Sequence, residues 1–251
     1  MENSRLTEIG NFIRCKLQTN SLTTDELLQI FAEPKLKKEY FNMLMAGNVD
    51  IKLENAQKQT ALFKAAESGN LVIVRALLEC GLDPAQKDIC GETPLSAAIR
   101  CGNRSVAEAL LEITSDPTGV IDNEGCTLLH KAAWGNLTPI AALLLDKYDF
   151  NVDCRDNYGR TPAHTAAYQG NTRLLKYLLT EKSADINARD LDGRTPLFSG
   201  AYDSNIKTIK LLCELGADMS IQDKYGLTAA GFARNQNNPA AAKFLDRQAA
   251  I

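Results

Sequence analysis

Histidine, tryptophan and aromatics are scarce in this chain. Its 251 residues include two histidines and one tryptophan, and only 6% are aromatic. The histidines, His130 and His164, are too few for a site built on several imidazoles. The seven cysteines (Cys15, Cys80, Cys90, Cys101, Cys126, Cys154 and Cys213) include no Cys-x-x-Cys pair. Structural zinc wants clustered ligands, and a secreted disulfide framework wants an even, dense set. The pattern therefore reads as free thiols in a reducing, cytoplasmic compartment, with no metal site. No basic segment followed by an apolar core opens the chain, so no secretory signal is expected. Without one, the acceptor triplets at Asn103 and Asn136 carry no weight. The longest strongly apolar stretch, Pro139 to Leu145, is far too short to span a membrane. Net charge is −3 with a pI near 5.5, and no basic stripe marks a nucleic-acid binder. Lys35-Leu36-Lys37-Lys38 is the only basic cluster and reads as a solvated helix face. No Walker or Gly-x-Gly-x-x-Gly loop is present to cradle a phosphate, so no cofactor is implied.

What the chain has is a period. Thr60, Thr93, Thr127, Thr161, Thr195 and Thr228 follow one another at 33, 34, 34, 34 and 33 residues. Five positions before each stands Asn55, Asp88, Asp122, Asp156, Asp190 or Asp223. Two positions before stand Gly91, Gly125, Gly159, Gly193 and Gly226, with Lys58 in the first unit. Asp-x-x-Gly is a turn signal, because Asp bonds nearby backbone and Gly accepts positive φ. Lys58 in the glycine slot predicts an irregular first hairpin. Each threonine suits an N-cap, and Pro94, Pro162 and Pro196 suit the first helical position. Small pairs follow at Ala65-Ala66, Ala132-Ala133, Ala166-Ala167 and Gly200-Ala201. A short helix then ends near Gly69, Gly102, Gly135 or Gly170. The third unit reads as one residue short before Gly135. A second helix centres on Leu77-Leu78, Leu110-Leu111, Leu143-Leu144, Leu178-Leu179 or Leu212-Cys213.

A repeat of this length built as turn, helix, turn, helix resembles the ankyrin repeat, whose signature is T-P-L-H-x-A. Thr161-Pro162-Ala163-His164-Thr165-Ala166 and Thr127-Leu128-Leu129-His130-Lys131-Ala132 match it best. Thr195-Pro196-Leu197-Phe198 and Thr93-Pro94-Leu95-Ser96 are variants. The resemblance implies an all-α ankyrin-repeat solenoid of about six helix-turn-helix repeats, forming one elongated array over residues 52–251. Its units fall near 52–84, 85–118, 119–152, 153–186, 187–219 and 220–251. The last, Thr228-Ala229-Ala230-Gly231, is degenerate, as suits a terminal cap. The resemblance also makes His130 and His164 ties between neighbouring hairpins. Thr93, Thr127, Thr161, Thr195, Gly159 and Gly193 are then repeat structure, not chemistry. No catalytic residues are assigned, and the chain is not expected to be an enzyme.

Residues 1–51 lack the signature and read as an N-terminal helical cap or diverged repeat. Leu6, Ile9, Phe12, Ile13 and Leu17 share one helix face. A second helix starts near Thr23 with Glu26 as its capping-box partner. Its apolar positions are Leu27, Leu28, Ile30 and Phe31, and Pro34 suits the start of a third helix running to about Met45. Leu22 to Phe31 is faintly similar to the opening of an F-box.

The resemblance places the seventh residue after each threonine on a concave face: Glu67, Arg100, Trp134, Tyr168, Tyr202 and Asn235. Trp and Tyr are enriched in binding hot spots. Tyr158 and Tyr225 with Arg160 and Arg194 occupy the hairpin tips beside this column. Packing between helices is the bland alternative for these aromatics. The expected function is a non-catalytic protein-interaction module, monomeric on its own, with no nucleic-acid or membrane partner. The alternative is an adaptor that recruits a substrate to a ubiquitin ligase or other enzyme through residues 1–51. Members of the family occur in eukaryotes and as effectors that intracellular bacteria deliver into the host cytosol, and either source fits.

Overall fold

The computed structural model describes residues 2–19, 21–202 and 205–249, with side chains described from residue 8 onward. Leu6, assigned to the first helix face, lies outside the described side chains. Among the described residues every regular element is helical, and extended pairing is limited to single bridges at Glu54–Thr60 and Ile121–Thr127.

The chain divides into two compact units, Met1–Pro117 and Thr118–Ile251. Both units carry the helix pairs that the period predicts. The boundary falls where the regular loop gives way to a 3-10 turn, Pro117–Gly119.

The first unit holds α1 (Glu2–Thr19), α2 (Thr24–Phe31), α3 (Lys38–Ala46), α4 (Ala61–Ser68), α5 (Leu71–Glu79), α6 (Pro94–Arg100) and α7 (Arg104–Ile113). Helix α2 packs on α4 and α4 on α6, forming an inner row; α3, α5 and α7 form an outer row in the same order. The apolar residues Leu27, Leu28, Ile30 and Phe31 are all buried, which ties α2 into the stack. Thr23 and Glu26 form the expected capping box, at 2.9 and 3.3 Å. Helix α3 begins at Lys38, four residues later than Pro34 suggests, because residues 34–37 form a turn. Helix α1 lies on α3 and buries Ile13, but Phe12 points outward with the Lys16 ammonium over its ring.

The second unit holds α8 (Leu128–Trp134), α9 (Thr138–Lys147), α10 (Pro162–Tyr168), α11 (Thr172–Glu181), α12 (Pro196–Tyr202), α13 (Ile206–Glu214), α14 (Ala229–Asn235) and α15 (Pro239–Ala249). Its inner row is α8, α10, α12, α14 and its outer row α9, α11, α13, α15. The degenerate sixth repeat therefore forms a complete helix pair. Alanines such as Ala132, Ala133, Ala166 and Ala167 have no exposed surface, so neighbouring inner helices approach closely. Leu144, Leu178 and Leu212 are fully buried from the outer row. Each such side chain contributes about 1.5–3 kcal/mol.

The local signals act as their chemistry requires. Thr60 Oγ1 accepts the Phe63 N–H at 3.2 Å, and Thr93 and Ser96 cap each other reciprocally. Each turn acid is an acceptor for its own hairpin. Asp156 Oδ1, for example, takes the Tyr158 and Arg160 N–H groups, both at 2.9 Å. Successive tips are joined by backbone bonds: Leu191 N–H to Tyr158 O at 2.9 Å, and Lys224 N–H to Asp192 O at 2.8 Å.

Two expectations need correction. The hairpin at Lys58 is regular: Lys58 adopts φ +57° and its N–H reaches Asn55 O at 2.8 Å, the bond Gly91 makes to Asp88. Lysine there accepts the left-handed strain because the side chain points into open solvent and the turn bonds hold the backbone. The third repeat is also not short. The left-handed residue nine positions after the threonine is Gly69, Gly102, Gly170 and, in that repeat, Asn136, so Gly135 is an ordinary helix end. Asn tolerates this conformation better than other side chains.

Candidate partner-binding face

Trp134, Tyr168 and Tyr202 are each the last residue of an inner helix of the second unit. Their position is fixed by an asparagine the period also contains, ten residues after the threonine of the next repeat. Asn171 Nδ2 donates to Ala133 O at 2.6 Å and Trp134 O at 3.3 Å, holding the end of α8. Asn238 Nδ2 does the same to Ala201 O at 2.7 Å, below Tyr202. Between them Asn205 lies against Gly170, so closely that a Cβ there would stand 1.7 Å from Asn205 Nδ2. Two helix ends are thus clamped by hydrogen bonds, and Asn205 packs beside the third. The sequence reading missed this column, although Asn70, Asn103, Asn171, Asn205 and Asn238 keep the threonine spacing; Leu137 takes the slot in the first repeat of the second unit.

The three rings form a ladder. Trp134 and Tyr168 stack at 6.4 Å between centroids, and Tyr168 and Tyr202 lie 5.6 Å apart. The ladder continues to Phe232, 6.2 Å from Tyr202, rather than to Asn235. Phe232 stands four residues after its threonine, where the other repeats carry Lys64, Ala97, Lys131, Thr165 and Ser199, and that exception was the signal for it. Phe232 is buried, but Trp134, Tyr168 and Tyr202 remain 50%, 39% and 48% exposed. Stacking on one another therefore leaves much of each ring to solvent.

The tips supply polar edges. The Arg160 guanidinium lies 4.7 Å from the Tyr158 ring, with its Nε on Asp156 Oδ2 at 2.6 Å. That of Arg194 lies 4.5 Å from the Phe232 ring and pairs with Asp192 and Asp223. The Asp156 and Asp223 carboxylates are buried beneath, and the outer surface of these tips carries the guanidinium groups, the rings of Tyr158 and Tyr225, and the more exposed carboxylates of Glu124 and Asp192.

Arg100 holds the same register position in the first unit. Glu92 and Glu67 engage it there at 3.1 and 3.3 Å, and Glu67 also binds Lys64 at 2.9 Å.

His130 and His164 face inward. The carbonyl of Arg160 can only accept, so the 3.0 Å contact with His130 Nε2 places the proton on that nitrogen; His164 Nε2 meets Arg194 O at the same distance. Nδ1 is then the acceptor for the Thr127 and Thr161 N–H groups, at 3.3 and 3.1 Å. Burial holds both rings below the usual histidine pKa, hence neutral. All seven cysteines are free. Burial pushes Cys126 up to about 12 and Cys154 to about 11, which leaves both thiols protonated and unreactive. Among the described residues no group of three or more metal-ligating side chains assembles, and no helix is long and apolar enough to cross a membrane.

A family model for ankyrin repeats (3 copies) matches residues 28–120 and 115–190, and a second for ankyrin repeats (many copies) matches 174–212. The chain belongs to the ankyrin-repeat family. The human ASB11 ankyrin repeat domain superposes with a TM-score of 0.71 at 24% identity, over 88% of this chain and 96% of that one. At that identity the likeness concerns the fold alone. No curated protein matches the chain. Ankyrin repeats are general protein–protein interaction modules, and the ladder lies at the C-terminal ends of the inner ankyrin helices.

Proposed function

We propose that the second unit binds a partner protein on the face formed by Trp134, Tyr168 and Tyr202, with Arg160, Arg194, Tyr158 and Tyr225 at its edge. The observation that carries this reading is the ladder: three large rings, stacked in register and about half exposed. An amphipathic ring held rigid loses little on binding, because its ordering cost is already met in the free protein. Burying the exposed ring surface contributes about 25 cal/mol per Å² of apolar area. The guanidinium edges at Arg160 and Arg194 add directional donors for carboxylate or carbonyl groups of the partner. The protein acts by presentation and not by chemistry, since its histidines and turn acids are already committed to holding the repeats.

The test is affinity capture with the wild-type protein and with Trp134→Ala/Tyr168→Ala/Tyr202→Ala, both verified as folded by circular dichroism. Loss of specific partners from the triple variant is expected. Recovery of every partner at wild-type yield would remove these residues from the binding face. The adaptor alternative draws no support from α2, whose apolar side chains are buried in the stack.

A further inference from the structure

Both histidines belong to the second unit, and each makes the same pair of bonds across a repeat junction. Nδ1 accepts from the backbone N–H that opens its own inner helix, and Nε2 donates to the carbonyl of the next tip. The two carbonyls belong to Arg160 and Arg194, whose guanidinium groups flank the ladder. At the matching position the first unit has Phe63 and Ser96, which do not titrate near neutrality.

We propose that these two histidines are an acid-sensitive latch, which loosens the second unit and the tips of Arg160 and Arg194 when pH falls below about 6.5. A second proton can only go on Nδ1. There it ends acceptance of the Thr127 or Thr161 N–H at 3.3 or 3.1 Å, and only the threonine Oγ1, at 3.0 or 2.9 Å, is left to take it, so the cap bond to the backbone is lost. A charged ring is also costly in a site 1–2% exposed. The ring then leaves, and its bond to the next tip goes with it.

The surroundings do not rescue the charge. Around His130 burial dominates; the bond to the Arg160 carbonyl, then Asp156 and Asp122, favour a charged ring, and the Arg160 guanidinium opposes it. Lys131 is bound to Asp122 at 2.6 Å, and the Cys154 thiol, 3.8 Å from Nδ1, is neutral. Around His164, Asp190 and Asp156 favour the charge, Arg155 opposes it, and burial again dominates. A group whose folded pKa is depressed binds its proton more readily in the unfolded chain. Its stabilisation is therefore complete above about pH 6.5, declines as pH falls, and is fully lost below the folded pKa. For binding, the consequence rests on the ladder being the partner face; for stability it does not.

Trp134, the only tryptophan, sits in the latched unit and reports on it selectively. Urea unfolding followed by Trp134 fluorescence should show a midpoint that falls between about pH 7.5 and about pH 5, a window in which ordinary carboxylates stay ionised. In His130→Gln/His164→Gln the midpoint should be flat across that window, because Gln at the third helical position still caps the threonine N–H and does not titrate. Asp153, which burial holds above its ordinary value, is present in both proteins and cancels in the comparison. A flat wild-type midpoint, or an equal fall in the double variant, would overturn the latch. Should the double variant not fold, ring ¹⁵N spectra of the wild type decide. Neutral Nε2–H rings that titrate below about 6.5 support the latch, and rings titrating at or above it overturn it. These readouts measure the fold, so they stand apart from whether the alanine triple variant loses its partners.

Discussion

Position seven after the threonine carries opposite chemistry in the two units. In the first it is Glu67 and Arg100, bound to each other and to Lys64 and Glu92. In the second it is Trp134, Tyr168 and Tyr202, which touch one another and still face solvent. The scaffold beneath is the same. Asn103 Nδ2 clamps Ala66 O and Glu67 O at 2.9 and 2.7 Å, just as Asn171 clamps the end of α8. A charged surface can satisfy itself within the molecule, because ion pairs saturate. The row of rings does not, because stacking leaves 39–50% of each residue exposed. The two units thus differ in surface chemistry over one scaffold, and mutation can break or sharpen that contrast.

The largest effect is expected at a turn both units need. Gly159 has φ +75°, and a Cβ there would stand 3.0 Å from Leu191 N and 3.2 Å from Leu191 Cγ. Gly159→Val should cost about 3 kcal/mol, since a β-branched residue is strained there whatever the space. A lowered urea midpoint by Trp134 fluorescence checks it, with exchange of first-unit amides unchanged. Next come the clamps. Asn171→Leu should cost about 1–3 kcal/mol, because it leaves two helix-end carbonyls unsatisfied. It should also lower Trp134 anisotropy, which Asn103→Leu, at similar cost, should not. Arg100→Ala should cost only about 0.5–1 kcal/mol in the first unit, as ion pairs near the surface do, and should spare every partner. Smallest is Lys58→Gly, which should raise stability by about 0.5–1 kcal/mol by relieving the left-handed strain. An unchanged or lowered midpoint would remove strain as the reading of Lys58.

Much of this was legible as period. Threonine caps, turn acids and leucines recur because each repeat solves the same backbone problem, so one register exposes them all. What escaped notice were departures and second roles. Asn70, for example, caps its own helix and also reaches Glu33 O and Leu36 O, and a local pattern shows only the first of these roles. Phe232 lies outside the column that defined the ladder. Arg100 lies in the column, but its neutralisation depends on Glu67 in the previous repeat and Glu92 in its own tip, and pairing of that kind is not periodic.

The most direct test places a photocrosslinker at equivalent positions of the two units. Benzoylphenylalanine at position 168, and separately at position 67, would be irradiated in lysate under identical conditions. Specific protein adducts at 168 with few or none at 67 are expected. Adducts at 67 with none at 168 would contradict the assignment of binding to the aromatic face.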